Sequence, residues 1–355
     1  MPVAYHLHPA TPNIGNHLIV LATQQLLASV NETPLDILHM PAKGVDAVLK
    51  RGGLNRETVY DANHLATGIL VGPGNLFENN GLDVDLMALR ALRRPLMLFG
   101  ISAGRIFDAK GQMHGRSDAM PDSMIQELVG KASATLVRDH ATRRHLESLG
   151  LHNIQVVGCP VLALNPRTLN LSPPDPRAQG AALISIRHPD LMNVPPRLQG
   201  QVHRDVPRLI EGLREQGHHK IALLCHDARD IRFAAHHDVP FLYTEDPLRY
   251  LSWLRDCRLN VTFRVHSLLP CAVLGTPAVH FTYDERAKGL IDVAGLQNCS
   301  IDYITSHDPV AEALAACARA DTLRDHMATA RQRWNPLQNT MRNALQDWAH
   351  RGIAA

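Results

Sequence analysis

The sequence predicts an α/β protein with two Rossmann-like domains that face each other across a cleft. Short aliphatic runs alternate with longer amphipathic segments along most of the chain, which is the pattern of strands and helices around parallel sheets. A stretch with four prolines, residues 165–180, separates two halves with similar alternation. The length of 355 residues also exceeds the typical domain size of about 50–200 residues. We therefore expect two domains.

In the first half, five short apolar runs predict strands, at Val3–His8, Ile69–Val71, Pro95–Phe99, Ala134–Val137 and Ile154–Val157. Four segments have the residue pattern of helices: Asn16–Val30, Asp83–Arg93, Met124–Lys131 and Asp139–Gly150. Asp139 is fully explained as the N-cap of its helix, because an aspartate there accepts a backbone N–H. The polar, glycine-containing segment Phe107–Ser117 predicts a mobile loop.

The second half repeats this organisation, with strands predicted at Ala182–Ile186, His219–Leu224, Val261–Phe263 and Thr276–Phe281. Helices are predicted at Arg204–Gln216, Pro247–Asp256 and Ser267–Leu274, and from Asp308 onward with a break at Pro336. The predicted regions are a first domain at 1–165, a linker at 166–180, a second domain at 181–320 and C-terminal helices at 321–355.

Composition excludes several classes of function. The 36 Lys and Arg against 34 Asp and Glu leave a net charge of +2, so we expect no nucleic-acid partner. The 21 histidines have no zinc-site spacing, and we expect no metal. The six cysteines lack a Cys-x-x-Cys pair, which is typical of a reducing compartment. Without a signal sequence or an apolar run of about 18 residues, we expect a cytoplasmic protein with no transmembrane segment.

The block 260–296 places polar residues only after strands. Five candidate substrate-site residues lie there: Arg264, His266, Tyr283, Asp284 and Lys288. Ligands of open α/β sheets bind beyond the carboxyl ends of strands, so Arg264, His266, Tyr283 and Asp284 should meet at one edge if their strands are neighbours. A fixed cation beside a titratable imidazole suits an anionic substrate that gains or loses a proton.

Other strand ends carry weaker candidates. Arg187 follows the strand at 182–186, and Gly72 and Gly74 follow the strand at 69–71. Asn13 and Gly15 precede the first long helix, whose N-terminus favours anions. A plain strand-to-helix turn explains that segment equally well. Ser102 lies in the glycine-containing turn Gly100-Ile101-Ser102-Ala103-Gly104 after the strand at 95–99, and no obvious His or Asp partner in the sequence marks it as a hydrolase nucleophile.

The block 260–296 resembles the carboxyl-terminal signature of the polysaccharide pyruvyl transferases. That signature consists of Arg-x-His, Gly-x-Pro and Tyr-Asp-x-x-x-Lys, found here as Arg264-Val265-His266, Gly275-Thr276-Pro277, and Tyr283-Asp284 with Lys288. The resemblance implies a fold similar to GT-B glycosyltransferases, with C-terminal helices crossing back to the first domain. It also implies an acceptor side on the first domain and a donor side on the second.

The resemblance implies a transferase that moves pyruvate from phosphoenolpyruvate to a saccharide as a ketal, for polysaccharide biosynthesis. Phosphoenolpyruvate would be a co-substrate, and no cofactor is expected. Arg187 and Arg264 are the candidates for holding its phosphate and carboxylate, and His266 for the general acid that protonates its methylene carbon. His188 or His226 is next in line for that acid. Arg138 before Asp139 resembles a family Arg-Asp pair that supports the fold.

The sequence departs from the family pattern at Asn16, Pro73 and Cys159, where the family commonly has an Asp, a glycine run and an Asp. The loss of the carboxylate at Asn16 removes a possible base or hydroxyl acceptor. Two other functions stay open. One is a GT-B glycosyltransferase that uses a nucleotide sugar, and the other is a non-catalytic binding protein for an anionic saccharide.

Overall fold

The computed structural model describes residues 2–30, 34–44, 52–78, 80–108 and 110–354. The chain forms two domains, each built on a six-stranded parallel sheet. Since both faces of such a sheet are covered, its central strands are continuous apolar runs rather than alternating ones. The strands 68–71, 96–101 and 182–185 are buried along their whole length. The sequence prediction of an α/β fold with two Rossmann-like domains is confirmed.

The elements of the first domain follow one another as listed here: β1 Val3–His8, α1 Ile14–Val30, β2 Asp36–Pro41, α2 Arg56–Leu65, β3 Gly68–Val71, α3 Leu86–Ala91, β4 Leu96–Ile101, β5 Arg105–Phe107, β6 Met113–Gly115, α4 Asp122–Lys131, β7 Ala134–Val137, α5 His140–Ser148 and β8 Ile154–Val156. The sheet order is β2-β1-β3-β4-β7-β8, and β5 pairs with β6 as a separate antiparallel hairpin. The strand order reverses between β1 and β3.

The elements of the second domain and the C-terminal helices are β9 Ala182–Ser185, α6 Gln201–Glu215, β10 Ile221–Leu224, α7 Ala228–Ala234, β11 Phe241–Leu242, α8 Pro247–Asp256, β12 Leu259–Thr262, α9 Val265–Leu274, β13 Ala278–Thr282, α10 Glu285–Ala294, β14 Ser300–Asp302, α11 Pro309–Cys317, α12 Ala320–Gln332 and α13 Asn335–Ala354. The sheet order β11-β10-β9-β12-β13-β14 is that of the dinucleotide-binding Rossmann fold. The order reverses between β9 and β12, where a crevice opens at the carboxyl ends of the strands.

The last helix, α13, packs on the first sheet. Met341, Leu345 and Trp348 of α13 share an apolar core with Leu70 and Phe99 of β3 and β4. The indole N–H of Trp348 also donates to the carbonyl of Pro95, at 3.1 Å. In the other direction, Leu18 and other residues of α1 belong to the core of the second domain. The two domains are therefore held together by apolar packing, and the limits 1–165, 166–180, 181–320 and 321–355 remain a proposal.

Several elements differ from the predictions. The predicted mobile loop 107–117 contains strand β6 and contributes to the hairpin of β5 and β6, although Ala109 lies outside the described residues. The helix predicted at 83–93 is shortened to α3, because Asp85 is its N-cap. Strand β2 was missed because it lies at a sheet edge and is only partly buried. Among the described residues, no helix is both long and apolar enough to cross a membrane.

Candidate functional site

A cavity of about 180 Å³ lies between the two domains, at the carboxyl ends of both sheets. Each domain contributes residues from the segments that follow its strands. They are Asn13, Asn75 and Arg138 from the first domain, and Arg187, His226, Arg264, His266 and Tyr283 from the second. Asn13 and Asn75 follow β1 and β3, and Arg187 and Arg264 follow β9 and β12. Both pairs flank the positions where strand order reverses, which is where open sheets bind ligands.

Arg138 brings a nearly uncompensated cation into the cavity wall. Arg138 is only 3% exposed, and its Nη1 donates to Oδ1 of Asn75 at 3.2 Å. Its Nε and Nη2 atoms are buried without a hydrogen-bond partner. Burial lowers the pKa of Arg138 below its usual value. Unsatisfied buried donors are costly, so this guanidinium is prepared to bind an anion.

Arg187 and Arg264 form a pair of cations on the second-domain side of the cavity. The Nε of Arg187 donates to the carbonyl of Leu191 at 3.3 Å, while its Nη1 has no hydrogen-bond partner and lies 4.0 Å from two carboxylates. Burial and the nearby Arg264 lower the pKa of Arg187 to about 10. No hydrogen bond or ion pair engages the side chain of Arg264 within the described part of the chain. The positive charge of Arg264 thus disfavours the charged form of Arg187.

Arg286 is the fourth guanidinium of the cavity, and it is compensated. Its Nη2 donates to Oδ2 of Asp284 at 3.1 Å, and its Nη1 donates to Oε2 of Glu78 at 3.4 Å. Burial opposes its charge, but Asp284 and Glu78 outweigh burial and raise the pKa of Arg286. Glu78 belongs to the first domain and is only 2% exposed, and burial raises its pKa. This ion pair joins the two domains beside the cavity.

His266 lies in the first turn of α9, two residues after the N-cap Arg264. Its φ and ψ of −78° and 17° are not helical, and Pro270, four residues later, has no N–H to bond the His266 carbonyl. A Cβ at Gly15 would lie 3.1 Å from both Cβ and Nδ1 of His266, so a side chain at position 15 would crowd the ring. Burial, followed by Arg138, Arg264 and Arg286, lowers the pKa of His266 well below its usual value. The imidazole is therefore neutral in the empty cavity.

Two further imidazoles line the cavity. His226 Nε2 is within 2.5 Å of the Tyr250 hydroxyl, and burial lowers the pKa of His226 well below its usual value. His280 Nδ1 contacts Oγ1 of Thr282 at 3.0 Å, and its Nε2 is buried without a partner. Burial lowers the pKa of His280 to about 4. Among the described residues, no group of three or more His, Cys, Asp or Glu side chains is arranged to hold a metal ion.

The family model for polysaccharide pyruvyl transferases matches residues 13–285, which is more than two thirds of the chain. The chain belongs to the polysaccharide pyruvyl transferase family. Membership makes it a transferase associated with polysaccharide biosynthesis, with a saccharide acceptor consistent with the family. A search of curated proteins finds no match.

Solved structures similar to this pyruvyl transferase family member confirm its GT-B fold. UDP-GlcNAc 2-epimerase from Neisseria meningitidis, bound to UDP-GlcNAc, has a TM-score of 0.59 and 9% identity, covering 98% of this chain and 100% of that one. MnaA from S. aureus with UDP has a TM-score of 0.57 and 12% identity, covering 92% and 91%. Os79 from O. sativa with UDP has a TM-score of 0.54 and 12% identity, covering 98% and 100%. At these identities the likeness concerns the fold.

The cavity of this transferase brings together six of the residues predicted from sequence: Asn13, Arg187, Arg264, His266, Tyr283 and Asp284. Gly15 contributes indirectly, because its missing side chain makes room for His266. The carboxylate of Asp284 is already engaged, since it caps α10 through Ala287 N–H and binds Arg286. Burial opposes its charge, but these partners lower the pKa of Asp284. It positions Arg286 rather than offering a free ligand group.

Besides Gly15, four predicted residues do not line this cavity: Gly72, Gly74, Ser102 and Lys288. A Cβ at Gly72 would lie 2.2 Å from the carbonyl of Phe99, and one at Gly74 would lie 2.5 Å from Cγ of Pro9. Close backbone packing therefore accounts for both glycines. Ser102 donates to Oδ1 of Asn75 at 2.9 Å and supports the cavity wall from behind. Lys288 lines a different cavity.

The residues of the cavity wall that the sequence analysis missed include Asn75, Arg138, His280 and Arg286. Arg138 directly follows β7, so the strand-end rule that found Arg187 and Arg264 applies to it as well. The sequence analysis took Arg138 as support for the fold more than as a sign of a site, and the structure places it in the cavity wall. Arg286 lies within α10, two residues after Asp284, and no strand-end signal marks it.

Proposed function

We propose that the protein transfers the pyruvyl group of phosphoenolpyruvate to two hydroxyls of a saccharide, forming a ketal and releasing phosphate. The observation that carries this proposal is the set of unpartnered guanidinium N–H groups of Arg138 and Arg187 in one cavity, with Arg264 beside them. Phosphoenolpyruvate has a phosphate and a carboxylate close together. Planar guanidinium groups bind both kinds of anion through paired hydrogen bonds, so three such groups match its charge.

The size of the cavity favours a small donor. Pockets for drug-sized ligands typically measure about 300–1,000 Å³. The volume here is about 180 Å³, which suits a three-carbon phosphate ester better than a nucleotide sugar. This observation favours phosphoenolpyruvate over the nucleotide-sugar alternative, although the fold is shared with enzymes that bind UDP.

His266 is our candidate for the general acid. Its imidazole is neutral in the empty cavity, and the phosphate and carboxylate of the donor would raise its pKa by offsetting the nearby arginines. The protonated ring then gives its proton to the methylene carbon, where a new C–H bond forms from the electrons of the C=C bond. Positioned proton transfer of this kind contributes about 10²–10⁴-fold to a rate.

The rest of the reaction balances without another reagent. The first acceptor hydroxyl bonds to the central carbon of the donor and loses a proton, which restores the proton given by His266. The C–O bond to phosphate then breaks, and the second hydroxyl bonds to the same carbon. The proton of that hydroxyl accompanies the departing phosphate. The products are one cyclic pyruvyl ketal and one inorganic phosphate.

The test is incubation of the protein with phosphoenolpyruvate and a panel of oligosaccharides, followed by mass spectrometry and a phosphate assay. We expect an acceptor whose mass increases by one pyruvyl ketal, together with an equal amount of phosphate. A parallel incubation with UDP-GlcNAc should give no glycosylated product. Glycosyl transfer from UDP-GlcNAc in place of pyruvyl transfer would contradict the proposal. Binding of anionic oligosaccharides without turnover would favour a non-catalytic binding protein.

A further inference from the structure

A second cavity, of about 540 Å³, adjoins the one that holds the four arginines. We call it the hairpin cavity, because the hairpin of β5 and β6 forms one of its walls. Other walls come from α5, from the start of α10 and from the residues that follow β14. The residues that matter below are Phe107, Tyr283, Lys288, Asp292, Asp302 and Thr305. Tyr283 and Asp284 line both cavities.

The hairpin cavity has the mixed lining that a saccharide needs. Phe107 and Tyr283 supply aromatic surface for the C–H groups of a sugar ring. Asp292 and Asp302 make no ion pair in the described part of the chain. Gln297 donates to Oδ1 of Asp292 at 3.4 Å, so each of the two carboxylates keeps its Oδ2 atom for hydroxyl groups. The side-chain ammonium group of Lys288 likewise has no ion pair or hydrogen bond among the described residues. One Asp302 oxygen accepts the N–H groups of Ile304 and Thr305, which fixes the orientation of that carboxylate.

Both domains form this cavity, and ionic contacts hold its outer wall in place. The backbone N–H and the Nε of Arg105 both bind the carboxylate of Glu285, at 3.0 Å each. The N–H of Phe107 donates to Oδ1 of Asn193 at 3.1 Å. These contacts fix the hairpin of the first domain against α10 and the segment around Asn193.

We propose that the hairpin cavity binds the acceptor saccharide, with its hydroxyls directed past Tyr283 toward the donor. This inference rests on the proposed function, because ketal formation requires two sugar hydroxyls at the central carbon of phosphoenolpyruvate. The acceptor must therefore lie in a space that shares a wall with the donor cavity. Lys288, which the sequence signature singled out and the donor cavity does not use, belongs to this site.

Two other cavities are less suited to the acceptor. One of about 530 Å³, lined by Pro9, Val20 and Pro247 among others, shares only Asn16 with the donor cavity and is mostly apolar at its walls. Another of about 710 Å³, lined by Glu78 and Arg116 among others, shares no described wall residue with it. The hairpin cavity shares two wall residues with the donor cavity, and it combines aromatic rings with carboxylates that form no ion pair in the described part of the chain.

The test is saturation-transfer NMR with methyl β-glycosides of glucose, galactose, mannose and N-acetylglucosamine, in the presence of phosphoenolpyruvate. Thr305→Trp fills the hairpin cavity from an exposed position, and Val20→Trp is the matched control in the rival cavity. We expect at least one glycoside to bind the wild type and the Val20→Trp variant, and to lose binding in Thr305→Trp. Asp302→Asn keeps the side chain's size and should weaken that glycoside about tenfold, because a hydrogen bond to a charged group is lost.

Titration with phosphoenolpyruvate alone separates this inference from the proposed function. Both tryptophan variants should bind phosphoenolpyruvate as the wild type does. Glycoside binding that survives Thr305→Trp and Asp302→Asn, or that disappears in Val20→Trp, would overturn the assignment of the acceptor site. Failure of every glycoside to bind a wild-type protein that binds phosphoenolpyruvate would overturn it too. If phosphoenolpyruvate itself does not bind, the proposed function fails, whatever the glycosides do.

Discussion

The Sγ atom of Cys159 lies 3.7 Å from Nε2 of His266. The thiol is fully buried, and burial raises its pKa, so it stays protonated and uncharged at neutral pH. His266 therefore has a weak, neutral partner where a carboxylate would favour the imidazolium. This contact helps to keep His266 neutral in the empty site and leaves the change in its charge to the substrate.

A carboxylate at position 159 should change this. We predict that Cys159→Asp raises the pKa of His266 in the ligand-free protein by about 1–3 units, because an opposite charge lies within a few ångströms. The ring-proton NMR signal that disappears in His266→Gln identifies the residue to be titrated. Cys159→Asn has nearly the same shape without the charge and should leave the titration unchanged. An unshifted titration in Cys159→Asp would mean that the two side chains are not in contact.

His266→Gln tests the proposed acid. We expect turnover to fall by at least about 100-fold while phosphoenolpyruvate still binds, since the amide cannot supply a proton. Thermal melting must show that the variant is folded. Normal turnover in a folded variant would assign His266 to packing, and His226 or His188 would then be the candidates.

Donor binding should also take up a proton at His266. The pKa of His266 lies well below 6.5 in the empty protein and should rise when the donor anion binds. At any pH between these two pKa values, binding adds a proton, so the affinity for phosphoenolpyruvate falls as the pH rises through that window. Calorimetry in buffers with different ionisation enthalpies measures the uptake. The phosphate of the donor can still change its own protonation when it binds the His266→Gln variant. Only the proton uptake at position 266 should therefore be lost in this variant.

We predict that Arg138 lowers the stability of the folded protein and strengthens the binding of phosphoenolpyruvate. Its guanidinium is buried with two unpartnered nitrogens, so Arg138→Met removes a cost from the folded state. We expect unchanged or greater stability, by up to about 1–4 kcal/mol, as found when buried ionic groups are replaced by apolar ones. Affinity for phosphoenolpyruvate should fall at the same time. Thermal melting and calorimetry measure the two effects, and Arg143→Met at an exposed ion pair is the control. A large loss of stability together with unchanged affinity is the opposite of what we expect.

Glu78 should act by positioning Arg286 across the domain interface. Removing its negative charge would strengthen anion binding if electrostatics alone mattered, whereas loss of the contact to Arg286 would weaken it. We predict weaker binding of phosphoenolpyruvate in Glu78→Gln and partial recovery in Glu78→Asp. Glu285→Gln breaks the neighbouring interdomain pair with Arg105 and should leave donor affinity nearly unchanged. Tighter binding in Glu78→Gln would show that positioning is not its role.

The sequence predicted the sheets well because buried parallel strands are continuous aliphatic runs, as at β4 and β9. It predicted that Arg187 and Arg264 face the cleft because both follow neighbouring strands of the second sheet. Arg138 also follows a strand, so the same rule could have marked it as a candidate. That Arg138 and Asn75 face these residues depends on how the two domains dock, which no local pattern encodes. Strand β2 lacked a clear signal, since its side chains are partly exposed, with Leu38 at 47%.

The most direct test of the central claim is calorimetric titration with phosphoenolpyruvate, in the wild type and in Arg264→Lys. We predict saturable binding at one site, weakened about tenfold in Arg264→Lys, because lysine keeps the charge but loses the paired hydrogen bonds of the guanidinium. Prior addition of UDP-GlcNAc should not reduce this binding. Absence of phosphoenolpyruvate binding, or equal affinity in the wild type and Arg264→Lys, would contradict the account.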